Sequence, residues 1–314
     1  MKNLHIIAKN IMNSQNFQGK IVLDEPMSQH TTFKIGGNAD FFAIPDTIES
    51  LQFLLTELSQ SNIPYFILGG GSNIVVSDKG IEGFVISTEK LTSIRIQEST
   101  EEINVICEAG CSIKDITEYC IAHNFTGFES FAGLPGSIGG ATFMNARCYD
   151  SSISDILVQA KYITIDNPLE AQEYKMNPTD WDYKKSPFQT NNNAIIVCSV
   201  ILQLKKGVKS EITEKCEKHI ADRKKKGHFD YPSAGSVFKN NRTYGKPSGK
   251  IIDEVNLKGY TVRNAQIAPF HGNFIINLGG AFADDIKSIV EYTQKKVKET
   301  ASFDLECEII FIGR

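Results

Sequence analysis

Residues 133–146 read Gly-Leu-Pro-Gly-Ser-Ile-Gly-Gly-Ala-Thr-Phe-Met-Asn-Ala, and residues 68–73 read Leu-Gly-Gly-Gly-Ser-Asn. Without side chains in the way, backbone N–H groups of such turns can approach a pyrophosphate. Hydroxyl and amide neighbours, such as Ser72, Asn73 and Ser137, suit the same ligand. Two turns of this kind favour a nucleotide cofactor, although tight loops without a ligand are the commoner cause of glycine clusters.

The residues before the first turn predict a β-α-β unit. An apolar run at 41–44 indicates a strand, Asp46 and Thr47 cap a helix that continues to about residue 60, and a second strand follows at 65–68. No long helix opens at the last glycine of the turn, and no GxxxxGK[ST] motif occurs, so the sequence is neither a Rossmann nor a P-loop nucleotide site.

Further elements follow from periodicity and caps. Helices are expected at about 113–123, capped by Ser112, and at 209–226, 247–256 and 281–299. Strands are expected at about 74–76, 84–87, 93–97, 103–108, 156–165, 194–204, 273–278 and 307–312. We predict a leader at 1–30, a domain at 31–207 made of two subdomains that meet near residue 95, and a C-terminal domain at 208–314.

Composition excludes several classes of protein. The 314 residues are 41% hydrophobic and 22% charged, which is typical of a globular protein and argues against wholesale disorder or membrane insertion. A net charge of -4 argues against broad nucleic-acid binding. Seven scattered cysteines without a CxxC pair indicate reduced thiols and no metal site. The short apolar stretch at the N-terminus is unlike a signal peptide, so a cytoplasmic location is expected.

Five segments together resemble the UDP-N-acetylenolpyruvoylglucosamine reductase family. They are the two glycine-rich stretches, Thr-Thr-Phe-Lys-Ile-Gly-Gly at 31–37, Pro-Ser-Ala-Gly-Ser-Val-Phe-Lys-Asn at 232–240, and Leu-Glu-Cys-Glu-Ile-Ile-Phe-Ile-Gly at 305–313. The resemblance implies an α+β fold: an FAD-binding, vanillyl-alcohol-oxidase (PCMH) type fold of two subdomains, followed by an α/β substrate-binding domain. It also implies non-covalent FAD, with NADPH as the hydride source. The residues expected to hold FAD are Gly69, Gly70, Gly71, Ser72, Asn73, Gly133, Pro135, Gly136, Ser137, Gly139 and Gly140.

The family reaction, as the resemblance implies it, reduces an enolpyruvyl ether of a UDP-sugar to a lactyl ether during peptidoglycan synthesis. Hydride adds to C3, and a proton must then reach C2, so the site needs an acid and an electrophile. Ser236 matches the family's proton donor, and Glu308 matches its catalytic glutamate. Without the resemblance, Ser236 is interpreted as an ordinary turn serine. Glu306 and Glu308 are then interpreted as residues on the solvent-exposed face of a final strand.

The sequence departs from the family at the expected clamp for the substrate carboxylate. Tyr183 matches a family tyrosine, but Lys184 stands where relatives carry arginine, and lysine lacks the bidentate guanidinium fork. Arg147 is a hypothetical replacement for that arginine, and a surface arginine beside a loop is an equally good interpretation.

Other expected substrate contacts are basic or polar. Lys224 has the family's spacing for a lysine that contacts the UDP diphosphate, with Lys226 as the alternative in the same run, which also suits a helix C-terminus. Asn240 matches a substrate-contacting asparagine. His271 lies where relatives place a polar residue, although a lone histidine is more often structural.

Two other functions compete with this interpretation. One is an alcohol oxidase of the same flavin fold that uses oxygen, against which Ser236 and Glu308 argue. The other is a nucleotide-binding or regulatory protein that has lost its chemistry, which only Lys184 favours. The oligomeric state does not follow from the sequence, and a monomer is favoured.

Overall fold

The computed structural model describes residues 2–98, 103–189 and 195–314. Its α-helices are α1 (Lys2–Asn13), α2 (Ile48–Gln60), α3 (Ile113–His123), α4 (Ile138–Phe143), α5 (Lys209–Lys225), α6 (Ser248–Glu254) and α7 (Ala283–Ala301). Its strands are β1 (Gly19–Pro26), β2 (Asn38–Pro45), β3 (Tyr65–Leu68), β4 (Ile74–Val76), β5 (Ile81–Ser87), β6 (Ile94–Glu98), β7 (Ile103–Glu108), β8 (Phe125–Thr126), β9 (Arg147–Cys148), β10 (Ser151–Ser152), β11 (Leu157–Thr164), β12 (Asn167–Lys175), β13 (Ile195–Lys206), β14 (Thr261–Val262), β15 (Ala265–Ile267), β16 (Ile275–Asn277) and β17 (Ile310–Ile312).

The chain forms two compact units. Unit 1 comprises residues 1–23, 41–70 and 83–221, and unit 2 comprises residues 24–40, 71–82 and 222–314. These units are defined by packing, whereas the predicted domains are divided at shifts in sequence pattern. Their boundaries differ, and the domain boundaries at 30, 95 and 207 stay a prediction.

Unit 1 contains an antiparallel sheet of order β12-β11-β13-β7-β6, with β8 paired to the far end of β13. Helix α3 packs its apolar face, including Ile113 and Ile116, into the core of this sheet. Its start follows from Ser112, whose hydroxyl accepts a hydrogen bond from the Asp115 N–H at 3.0 Å. Helix α2 begins in the same way at Thr47 and buries Leu51, Leu54, Leu55 and Leu58.

A further sheet has the order β1-β2-β5-β3, with β3 and β5 parallel. Unit 2 contains the antiparallel sheet β14-β15-β16 and a parallel pair of β17 with β4. Arg314, beyond β17, makes a bidentate ion pair with Asp40 at 2.6 Å. The core of unit 2 joins residues from all three of its segments, among them Phe33, Val75 and Ile286.

Several predictions for single elements need correction. Residues 1–30 contain α1 and β1, for which the sequence predicted no elements, and Ala8 and Ile11 are buried in a core of unit 1. The assignment of this segment as a leader stays a prediction. Between the strands predicted at 156–165 and 194–204, where the sequence predicted no element, lies a nine-residue strand, β12. The final strand begins at Ile310 instead of Cys307, which makes only an isolated bridge to Phe238. Residue 194, the predicted first residue of β13, lies outside the described residues.

All seven cysteines are free thiols, and six of them are buried. Within residues 2–98, 103–189 and 195–314, no three acidic, histidine or cysteine side chains gather in a way that could hold a metal ion. Over the same residues, no helix combines the length and the apolar character that a membrane span requires.

Candidate functional site

The two glycine-rich turns lie against each other in unit 1. Gly70 approaches the second turn so closely that a Cβ placed on it would lie 2.4 Å from Gly136 Cα. A Cβ on Gly69 would lie 2.7 Å from Ser137 Oγ. Glycine is therefore required at 70 for the two backbones to meet, before any ligand is considered.

Helix α4 opens at the second turn. The Ser137 hydroxyl caps it, accepting a hydrogen bond from the Gly140 N–H at 3.4 Å. Gly139 packs on the end of β7, where its N–H donates to the Ala109 carbonyl at 2.9 Å. A Cβ on Gly140, by contrast, would have Ser137 Oγ at 3.6 Å as its nearest neighbour among the described residues, apart from the helix backbone and the adjacent residues. Gly140 is thus the open position of this helix start.

The same turns fit the pyrophosphate of FAD. Within the described ranges, the N–H groups of Gly69, Gly70 and Gly136 donate to no acceptor in the protein. Unpaired N–H groups beside an open glycine are the donors that a phosphate needs. Gly133 and Gly136 have φ values of 77° and 114°, so both have conformations that L side chains rarely adopt.

Tyr183 and Lys184 form the tip of a tight turn in unit 1. Asp182 and Lys185 exchange two backbone hydrogen bonds, of 3.2 and 3.0 Å, across it. Lys184 has a φ of 57°, at the turn position where glycine or asparagine is usual. A lysine held in a left-handed conformation costs roughly 1–2 kcal/mol, which marks this turn as a candidate functional element.

Two side chains fasten this turn to the end of α4 and the segment that follows it, and a third bonds to the turn itself. Asn145 Nδ2 donates to the Asp182 carbonyl at 2.9 Å, and Ser186 Oγ donates to the Phe143 carbonyl at 2.6 Å. Gln189 Nε2 donates to the Lys184 carbonyl at 3.3 Å. The Lys184 turn is therefore positioned by the end of the same segment that carries the second glycine-rich turn.

Arg147 lies in β9, half-buried. Its guanidinium contacts Ser152 Oγ at 3.3 Å and the exposed carboxylate of Asp150 at 3.9 Å. These contacts give the guanidinium a local role within the β9–β10 hairpin. Its service as a substitute for the family arginine stays a prediction.

Ser236 and Glu308 are brought together in unit 2. Ser236 forms an antiparallel bridge with Phe274, and Phe238 forms one with Cys307. The Glu308 N–H donates to the Val237 carbonyl at 2.7 Å. The segment of Ser236 thus lies between residues 273–274 on one side and 306–308 on the other.

The two glutamates of the last segment have different surroundings. Glu308 is 9% exposed, whereas the Glu306 side chain is 70% exposed and pairs with Lys239 at 2.6 Å. Burial, with smaller effects of Glu308 and Glu306, raises the pKa of Cys307 to about 11. The thiol between the glutamates is therefore protonated at neutral pH, and Glu308 is the buried acid of this segment.

Two residues near this segment have roles that the sequence did not predict. Asn73, expected to bind the cofactor, donates its Nδ2 hydrogen to the Glu308 carbonyl at 3.1 Å. Thr32 joins the first glycine-rich turn to the serine loop: its N–H donates to the Gly71 carbonyl at 3.1 Å, and its hydroxyl donates to the Ser233 carbonyl at 2.7 Å. Thr32 belongs to the motif at 31–37, which was the only available signal.

The remaining predicted contacts lie elsewhere in unit 2. Lys224 is exposed in the last turn of α5, and Lys226 pairs with Asp222 at 2.6 Å. Asn240 accepts a hydrogen bond from the Ser248 N–H, at the start of α6, through its Oδ1. His271 Nδ1 lies 3.1 Å from the Asn273 N–H. The structure places Lys224, Asn240 and His271 in one unit and leaves their substrate roles as predictions.

His271 belongs to an aromatic cluster with His228 and Phe274. The two imidazole rings are 5.8 Å apart, and His228 stacks on Phe274 at 4.7 Å. Burial lowers the pKa of His228 to about 4, assisted by Arg223, and burial also lowers the pKa of His271. Both imidazoles are therefore neutral at pH 7.

Comparison with known proteins agrees with this geometry. Residues 227–312 match the model of the UDP-N-acetylenolpyruvoylglucosamine reductase C-terminal domain, and residues 39–167 match the model of an FAD binding domain. A relative from Treponema denticola named UDP-N-acetylenolpyruvoylglucosamine reductase is 47% identical over 322 residues, covering 100% of this chain and 99% of its own. A relative of the same name from Treponema pallidum is 35% identical and covers 92% of each chain.

A solved structure is also similar. The crystal structure of UDP-N-acetylenolpyruvylglucosamine reductase (MurB) from Thermus caldophilus superimposes with a TM-score of 0.75 at 30% identity, covering 94% of this chain and 100% of that one. The predicted α+β fold and FAD as the cofactor are confirmed by these matches. On sequence and on structure alike, this chain belongs to the UDP-N-acetylenolpyruvoylglucosamine reductase family of oxidoreductases.

Proposed function

We propose that this protein is an NADPH-dependent flavoenzyme that reduces UDP-N-acetylglucosamine enolpyruvate to UDP-N-acetylmuramate. The product is a peptidoglycan precursor, so the proposed role extends to cell wall formation, cell shape and cell division, with the cytoplasm as the place of action. The observation that carries the proposal is that the segment of Ser236 pairs with the segment of buried Glu308, in a chain of this family.

The proposed reaction adds a hydride to C3 and a proton to C2 of the enolpyruvyl double bond. FAD, when bound, supplies the hydride, and NADPH restores it. Gly69, Gly70 and Gly136 offer the free N–H groups for its pyrophosphate.

Ser236 is the proposed proton donor to C2. In this proposal its hydroxyl gives its proton to the substrate carbon. A serine hydroxyl is a weak acid, and transfer to C2 requires a strongly basic carbon and nearby cationic groups. Glu308 is the proposed group that orients the enolic form as this proton arrives.

Positive charge for the anionic substrate comes from two places in the proposal. Lys184 provides a charge-assisted hydrogen bond to the substrate carboxylate as a single point charge, without the bidentate geometry of arginine. Lys224, or Lys226 beside it, contacts the diphosphate. NADPH and the UDP-sugar use one pocket in turn, which predicts ping-pong kinetics.

Anaerobic stopped-flow absorbance tests the function directly. The FAD-loaded protein is reduced with NADPH and then mixed with UDP-N-acetylglucosamine enolpyruvate, and the oxidised-flavin absorbance is followed. Rapid reoxidation by the sugar supports the proposal. Reoxidation only by oxygen would indicate an oxidase, and no reduction by NADPH would indicate a protein without this chemistry.

A further inference from the structure

Asn273 is a buried residue whose side-chain amide forms hydrogen bonds with the segment of Ser236. It is 3% exposed, and its side chain makes both hydrogen bonds of a peptide with one residue: Oδ1 accepts from the Phe238 N–H at 2.9 Å, and Nδ2 donates to the Phe238 carbonyl at 2.8 Å. Its own carbonyl accepts from the Val237 N–H at 2.9 Å. One asparagine therefore fixes the two residues that follow Ser236.

These hydrogen bonds act on the part of the chain that positions the Ser236 hydroxyl. Between Ser236 and Phe238 the chain is bonded to Phe274 and Asn273 on one side and to Cys307 and Glu308 on the other. The side chain of Asn273 spans the point where the strand pairing with Phe274 gives way to that with Cys307. Removing the amide frees both polar groups of Phe238 on that side, while the Glu308 side stays bonded.

His271 holds Asn273 in turn. The Asn273 N–H donates to His271 Nδ1 at 3.1 Å, so the ring nitrogen that accepts carries no proton. The neutral ring therefore bears its hydrogen on Nε2. The Asn273 backbone is thus bonded to His271, and its side-chain amide is bonded to Phe238.

We propose that Asn273 is a positioning residue for the proton donor Ser236, acting through the two hydrogen bonds that its amide makes with Phe238. This inference rests on the proposed function. Asn273 does not touch the substrate in this role, and its effect is confined to the step in which Ser236 gives up a proton.

The test is Asn273→Ala in the FAD-loaded protein, measured by half-reactions. Flavin reduction by NADPH is expected to keep the wild-type rate, and reoxidation by UDP-N-acetylglucosamine enolpyruvate is expected to slow roughly 10- to 100-fold. The solvent deuterium isotope effect on reoxidation is expected to rise, because proton transfer becomes the slower event.

A matched control is Asn277→Ala. Asn277 is equally buried, and its side chain makes three hydrogen bonds, to the Phe33 carbonyl and from the N–H groups of Gly279 and Ala281. Asn277→Ala should lose comparable stability, with reoxidation within about threefold of wild type, since its three side-chain hydrogen bonds hold Phe33, Gly279 and Ala281 and not the segment of Ser236.

A second variant, Asn273→Asp, guards against a failure of the alanine variant to fold. Its neutral carboxyl can donate to the Phe238 carbonyl, whereas the carboxylate cannot. Reoxidation in this variant is expected to speed up as the pH falls, relative to wild type at each pH.

Equal slowing of both half-reactions in Asn273→Ala, or wild-type reoxidation in a folded Asn273→Ala protein, would overturn the inference. If wild-type protein itself is not reoxidised by the sugar, the proposed function fails first, and the two failures are thereby distinguished.

Discussion

Ser236 lies half-buried on a segment bonded along both edges, and its hydroxyl is the group on which the proposed proton transfer depends. Ser236→Ala should leave flavin reduction by NADPH unchanged and should slow reoxidation by the UDP-sugar by about 10²- to 10⁴-fold, the usual contribution of a general acid. Stopped-flow measurement of each half-reaction checks this.

Ser233→Ala is the matched control for that variant. Ser233 is in the same loop, and its hydroxyl accepts only a long hydrogen bond of 3.5 Å from the Gly235 N–H. Its removal should change neither half-reaction by more than about twofold, since such a weak bond contributes little. An unchanged reoxidation rate in Ser236→Ala would remove Ser236 from the proposal.

Lys184 has a strained backbone and is also proposed to contact the substrate. The variant Lys184→Gly distinguishes the effect of the strain on stability from the effect of the charge on substrate binding. Glycine tolerates the φ of 57°, so the free energy of unfolding should stay the same or rise by up to about 1 kcal/mol. The lost charge should raise the KM for the UDP-sugar by roughly 10- to 100-fold. Thermal unfolding and steady-state kinetics measure the two effects.

Lys185→Ala provides the comparison, because Lys185 is the neighbouring cation and has no left-handed backbone. It should change KM little. A Lys184→Gly protein with wild-type KM would show that the turn carries strain without serving the substrate, and attention would then shift to Arg147.

At this scale, sequence reasoning identified chemistry but not the groups that hold it in place. Ser236 and Glu308 stood out only through family resemblance, because an isolated Gly-Ser pair or an acidic strand is ordinary. Asn273 had no local signal, and Thr32 had only its place in the motif at 31–37. Their partners are 35 and 201 residues away in sequence, so the fold alone brings them together.

Among the elements, the two glycine-rich turns contain one glycine that is needed for packing, Gly70, and one that is proposed to serve cofactor binding, Gly140. Gly70→Ala should destabilise the FAD-free protein by roughly 1–3 kcal/mol, because the new Cβ would lie 2.4 Å from Gly136 Cα and the backbones would have to part. Chemical denaturation of the apoprotein measures this loss.

Gly140→Ala is expected to behave in the opposite way. Outside the helix backbone and the neighbouring residues, the nearest described atom to the new methyl group is Ser137 Oγ at 3.6 Å, and alanine favours helix α4 by up to about 1 kcal/mol. The apoprotein should be as stable as wild type or more so, while the Kd for FAD should rise at least about tenfold, because the methyl group occupies the approach to the N–H groups. Unchanged FAD affinity, by fluorescence titration, would exclude Gly140 from the cofactor site.

The elements that the sequence predicted well are those with both a cap and a continuous apolar face. Helices α2 and α3 have Thr47 and Ser112 at their starts and buried residues three and four apart. Strand β12 has the sequence Asn-Pro-Leu-Glu-Ala-Gln-Glu-Tyr-Lys and is largely exposed. This segment is a strand because it pairs with β11, and its own residues lack the alternation of apolar and polar side chains that would predict a strand.

For the molecule as a whole, the buried imidazole of His228 predicts a weakness to acid. Its pKa is about 4 in the folded protein and near 6.5 when unfolded, so the unfolded state takes up a proton first as the pH falls. Stability should be complete above pH 6.5 and should decline between about pH 6.5 and 4, with no further loss from this group below pH 4. The facing charged groups are Arg223, Lys226, His271 and Asp222.

His228→Phe isolates this effect, since phenylalanine keeps the stacking on Phe274 without a titrating group. Melting temperatures of wild type and variant, measured from pH 4 to pH 8, should diverge on the acid side, with the variant losing less. Parallel curves would mean that other groups govern the acid limit.

The pairing of Arg314 with Asp40, and of β17 with β4, has a consequence for biogenesis. Asp40 can form its ion pair only after Arg314, 274 residues later in the chain, has been synthesised. At a synthesis rate of about 5–20 residues per second, the chain from Ile74 of β4 to Ile310 of β17 takes roughly 12–47 s to synthesise, during which β4 has no parallel neighbour. While the ribosome is still translating, unit 2 therefore exists only in fragments, and an exposed strand edge has to be kept from pairing with other nascent chains.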